Sequence, residues 1–89
     1  MKILIADDEV LICEWLEFCI AQNPDYQLVG RAGNGKEALE LFRETEPDLI
    51  LTDIKMPLMD GIELLRAVKA LRPETIVVLL TAFSEFNLA

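Results

Sequence analysis

Four side chains in this sequence have the types and positions that phosphate or metal chemistry needs: Asp7, Asp8, Asp53 and Thr81. Each closes a short apolar run. Lys2 to Ala6 leads into Asp7-Asp8, Leu49 to Leu51 leads through Thr52 into Asp53, and Ile76 to Leu80 leads into Thr81. Runs of that length read as buried parallel strands. In an open α/β sheet the ligand crevice lies outside the carboxyl ends of the strands, where these polar residues would stand.

If the first and third strands are neighbours, their three carboxylates converge. Each close pair then costs on the order of 1 kcal/mol at ~4 Å in water, and several times that in a partly dry cleft. A divalent cation would remove the repulsion, and a donor set of oxygens without histidine points to Mg²⁺. The Thr81 hydroxyl would be placed to donate to a phosphoryl oxygen. Asp53 itself would be a nucleophile, since carboxylates form acyl-phosphates. Taken singly each residue has a plainer reading; an Asp pair ahead of a helix is often a cap. The combination in fixed order is what points to a site.

The elements that must position these residues alternate. Glu9 to Gln22 is apolar except for Glu14 and Glu17 and reads as a helix buried on most of its circumference, with Trp15 and Phe18 as bulk. Asn23-Pro24-Asp25 breaks it, and Tyr26 to Ala32 alternates loosely, as an edge strand would. Asn34 and Glu37 have capping-box spacing before a helix that Pro47 ends. Asp60 and Glu63 repeat that spacing before a third helix, whose Arg66, Lys69 and Arg72 complement the dipole ahead of Pro73. Thr75 to Thr81 is a fourth strand. Strands alternating with helices of about a dozen residues mean βαβ units, hence a parallel sheet covered on both faces.

Composition limits the partners. The 89 residues carry a net charge of -8 and no histidine, so this segment has no basic patch for nucleic acid or an anionic membrane. A cation or a basic protein face suits it better. No stretch approaches the ~20 apolar residues of a membrane span. Cys13 and Cys19 fall on different faces of one helix, ~9 Å apart along its axis, and read as buried thiols of a reducing cytoplasm. Trp15 and Met59 read as packing residues.

Asp7-Asp8, the run from Asp53 to Gly61 (Asp-Ile-Lys-Met-Pro-Leu-Met-Asp-Gly) and Leu80-Thr81-Ala82 resemble the receiver domain of two-component response regulators. The resemblance covers the whole chain, as one receiver domain over residues 1–89. It implies a flavodoxin-like doubly wound parallel sheet in the order 2-1-3-4-5. It also implies that Asp53 accepts a phosphoryl group from a sensor histidine kinase or phosphotransfer domain, and that Asp7, Asp8, Asp53 and the backbone carbonyl of Lys55 hold Mg²⁺. Thr81 would follow the phosphoryl group, with Ala82 beside it. Phe83 to Phe86 is similar to receivers that precede an AraC-type DNA-binding output domain, which would place the protein in transcription regulation.

A receiver also has a fifth strand, bearing a lysine and an aromatic switch residue, and a fifth helix. The chain is expected to stop after its fourth strand, giving the order 2-1-3-4 and no catalytic lysine. It is then a phosphoacceptor rather than an enzyme, and its fourth strand is an outer edge open to pairing or strand exchange with a second chain. Two other readings remain open. One is an Asp-nucleophile phosphatase or phosphotransferase of similar topology with Asp8 as general acid or base, although such an enzyme would want a substrate-binding cap. The other is an inactive fragment.

Overall fold

The computed structural model describes residues 1–81. Elements alternate throughout: β1 (Lys2–Ala6), α1 (Val10–Ala21), β2 (Gln27–Ala32), α2 (Gly35–Thr45), β3 (Leu49–Asp53), α3 (Gly61–Leu71) and β4 (Ile76–Leu80). The strands form one sheet in the order β2-β1-β3-β4, and every pairing is parallel. This is the predicted topology. Ala82 and the segment Phe83 to Phe86 lie outside the described residues.

Side chains alternate across each strand and divide the core in two. Leu4, Ala6 and Ile50 point to one face, where Ala38 and Phe42 of α2 and Leu64 and Val68 of α3 cover them. Ile3 and Ile5 point to the other, under Cys13, Leu16 and Ile20 of α1. Each Leu, Ile, Val or Phe among them contributes about 1.5–3 kcal/mol when fully buried, so β1 and β3 anchor the sheet.

The helix ends follow the capping signals in part. At α3 both halves of the capping box form: Asp60 accepts from the Glu63 amide at 2.8 Å, and Glu63 accepts from the Asp60 amide at 3.2 Å. At α2 only the Asn34 half forms, accepting from the Glu37 amide at 2.8 Å. Glu46 closes α2 in the left-handed region at φ 48°, and Pro47 prevents continuation. Lys69 donates to the carbonyls of Pro73 and Thr75, tying the end of α3 to the start of β4.

Two packing expectations are corrected. Trp15 and Phe18 are each 63% exposed, and α1 buries only the stripe Cys13, Leu16 and Ile20. A helix lying on a sheet is covered along one stripe, and among the described residues nothing packs on its outer side. Cys19 is exposed for the same reason, so of the two thiols only Cys13 is buried; Met59 does pack against the core. β4 is the outermost described strand on its side, with Ile76 48% and Val78 38% exposed. No described helix is long and apolar enough to cross a membrane.

Candidate functional site

Parallel register brings the predicted residues to one level. Ala6 is paired with Thr52, which puts Asp7 beside Asp53; Asp53 is paired with Leu80, which puts Thr81 one step further along. Asp7, Asp8 and Asp53 each offer a carboxylate oxygen, and these oxygens all lie within 4.8 Å of one another. Asp7 is buried, Asp8 exposed and Asp53 intermediate. Asp7, Asp53 and Thr81 line a small cleft together with Glu9, Ile12 and Leu80.

Backbone hydrogen bonds fix both acid-bearing turns. The Asp7 amide donates to the Ala32 carbonyl at 2.9 Å, carrying the β1–β2 ladder one residue past the strand. The Asp7 carboxylate accepts from the Glu9 amide at 2.9 Å, and its carbonyl accepts from the Cys13 thiol at 3.3 Å. At β3 the Asp53 carboxylate accepts from the Ile54 amide at 2.8 Å, and the buried Thr52 hydroxyl donates to the Asp53 carbonyl at 2.9 Å. Lys55 lies two residues on, in the loop before α3, with its side chain exposed.

That loop is held by close backbone contacts. Gly61 donates to the Ile54 carbonyl at 2.7 Å, and a β-carbon on Gly61 would sit 2.1 Å from the Asp53 carbonyl oxygen. Met59 donates to the Pro57 carbonyl at 2.8 Å across Leu58, whose φ of 70° is left-handed. Such a three-residue turn is a strained form.

A second cavity, lined by Asp7, Asp8, Cys13 and Arg31, flanks the acid cluster. Burial pushes the Cys13 thiol pKa up, against the lowering effect of the Arg31 charge, and the Asp7 and Asp8 charges add to the rise. Arg31 forms an ion pair with Glu17 at 2.9 Å, and that hydrogen bond raises the guanidinium pKa further. Glu9 and Arg31 line these two cavities without belonging to any motif in the sequence. Arg31 sits at the carboxyl end of β2, the same level as the acids, and this position was its only signal.

Three oxygen donors from two strand ends suit a hard divalent cation. Four parallel strands in the order β2-β1-β3-β4, with acids at the carboxyl ends of β1 and β3, define the flavodoxin-like class of α/β protein. Residues 3–89 match the response regulator receiver domain, and the chain belongs to that family.

Its relatives include transcriptional regulators. Transcriptional regulatory protein YhcZ of Bacillus subtilis is 42% identical over 85 residues, covering 96% of this chain and 40% of its own length. Transcriptional regulatory protein PdtaR of Mycobacterium tuberculosis is 44% identical over 87 residues, covering 98% of this chain and 42% of its own length. The crystal structure of the response regulator domain of Thermotoga maritima CheB matches with a TM-score of 0.87 at 34% identity, over 98% of this chain and 64% of that one. The chain thus spans less than half the length of these two curated relatives.

Proposed function

We propose that this chain is the phosphoacceptor module of a two-component response regulator, with Asp53 as the acceptor and a sensor histidine kinase or phosphotransfer domain as the donor. The observation that carries the reading is the convergence of the Asp7, Asp8 and Asp53 carboxylates in a receiver-family chain. An oxygen of the Asp53 carboxylate attacks phosphorus in line. The new P–O bond forms as the P–N bond of the donor phosphohistidine breaks, and its electron pair returns to the imidazole. The Ile54 amide, already aimed at the Asp53 carboxylate, holds the acid in place. Thr81, lining the same cleft, donates from its hydroxyl to a phosphoryl oxygen.

Asp7, Asp8 and Asp53, with the Lys55 carbonyl, are the groups that would hold Mg²⁺, and the all-oxygen donor set fits that ion. When bound, the cation neutralises charge that develops on the transferring group. Residues 1–89 then belong to one receiver domain, acting in the cytoplasm. Transcriptional control through an output domain follows by analogy with the relatives. We also read the outer edge of β4 as a pairing surface for a further strand, from this polypeptide or from a second copy.

The test is uptake of phosphate from a small phosphoramidate donor, followed by intact mass. Labelling that needs Mg²⁺ and disappears in Asp53→Asn supports the reading; equal labelling of Asp53→Asn defeats it.

A further inference from the structure

We infer that Gly35, on a helix that contributes no acid, positions the loop carrying Lys55 and so couples the α2 N-terminus to the cation site. The inference rests on the cation reading above. Residues 54–60 have no regular structure of their own, and three backbone hydrogen bonds close them. Two are local: Gly61 to the Ile54 carbonyl at 2.7 Å, and Met59 to the Pro57 carbonyl at 2.8 Å. The third comes from another element, the Gly35 amide donating to the Met59 carbonyl at 3.0 Å.

This contact leaves no room for a side chain. A β-carbon on Gly35 would lie 2.1 Å from the Met59 carbonyl oxygen and 2.8 Å from the Met59 carbonyl carbon, so backbone would have to move. Gly33, two residues earlier, would meet nothing within 4 Å. α2 is itself fixed, by the Asn34 cap and by the burial of Ala38 and Phe42. The loop is the strained partner, because Leu58 holds a left-handed backbone that surrounding structure must enforce. Lys55 lies between the clamp at Ile54 and the clamp at Met59. A shift of Met59 is therefore carried toward the carbonyl assigned to the cation.

Coupling of this kind is reciprocal: if the Gly35–Met59 contact favours cation binding, binding must strengthen the contact by the same factor. Three measurements on the intact protein test it, with Mg²⁺ as the probe. The first is Mg²⁺ affinity by titration in wild type, Gly35→Ala and the matched control Gly33→Ala. The second is amide exchange at Gly35 in wild type with and without Mg²⁺. The third is unfolding by denaturant without Mg²⁺. We expect Gly35→Ala to weaken Mg²⁺ binding about tenfold, Gly33→Ala to leave it unchanged, and Mg²⁺ to slow Gly35 exchange in wild type by a similar factor. A purely structural glycine would lower unfolding stability without altering affinity or cation-dependent exchange. Wild type that binds Mg²⁺ with no change in Gly35 exchange would overturn the coupling and leave the cation reading standing. Wild type that binds no Mg²⁺ would overturn the cation reading and the coupling with it. If Gly35→Ala fails to fold, the wild-type exchange comparison decides alone.

Discussion

A β-carbon placed on Gly61 would fall 2.1 Å from the carbonyl oxygen of Asp53, so the first residue of α3 and the last residue of β3 touch backbone to backbone. A main-chain carbonyl cannot swing aside as a side chain can. Gly61→Ala should therefore force a shift at Asp53, at a cost of about 1–3 kcal/mol. Denaturant unfolding of the two proteins measures this, and an alanine variant as stable as wild type would show that the contact yields.

Asp60 caps the same helix with both halves of its box formed. Replacing it with alanine leaves the Glu63 amide without its side-chain acceptor. Unfolding experiments should show a loss of about 1 kcal/mol for Asp60→Ala.

Leu58 presents the opposite case, since it is 78% exposed and held at a φ of 70°. Left-handed backbone costs a β-carbon-bearing residue roughly 1–2 kcal/mol, and glycine escapes that cost while giving back about 0.5–1 kcal/mol in unfolded-chain entropy. Leu58→Gly should thus stabilise the protein by a fraction of a kcal/mol to about 1 kcal/mol. A decrease in unfolding free energy would mean that the leucine side chain contributes contacts its exposure does not suggest.

The acid cluster predicts a second sign. Three carboxylates within 4.8 Å repel one another in the cation-free protein, so Asp8→Asn should raise its stability. Mg²⁺ should stabilise wild type by RT ln(1 + [L]/Kd), about 2.7 kcal/mol at a hundred times Kd. In Asp8→Asn that gain should largely disappear. Thermal melts with and without millimolar Mg²⁺ check both statements.

How much of this was legible in the sequence differs from residue to residue. Asp7, Asp53 and Thr81 announced themselves because each ends an apolar run, and a parallel strand delivers its next residue to the crevice whatever its neighbours are. The order of the strands was not legible from pattern; it came from the resemblance, because an apolar run carries no record of which strand lies beside it. Trp15, Phe18 and Cys19 misled because α1 is apolar almost all round, whereas burial depends on how many elements cover a helix. Gly35 and Gly61 are the first residues of α2 and α3. Their close approaches to Met59 and Asp53 are tertiary facts that local spacing cannot express. Arg31 carries no local signal because its partners, Glu17 and Cys13, lie on a different element.

We propose that Asp53, among the clustered acids, carries the phosphoryl group. Its carboxylate is held by the Ile54 amide and shares a cleft with Thr81. Asp60 is engaged in capping α3, and Asp8 lies on the exposed side of the cluster. The added group brings a charge of roughly -1.5 to -2, which needs donors and a cation close at hand. Phosphorylation with Mg²⁺ and a phosphohistidine or phosphoramidate donor, reduction of the acyl-phosphate with hydride, and peptide mass spectrometry locate the modified residue. Reduction at Asp53 alone is expected; a label at Asp8 or Asp60 in wild type would rule Asp53 out as the sole acceptor.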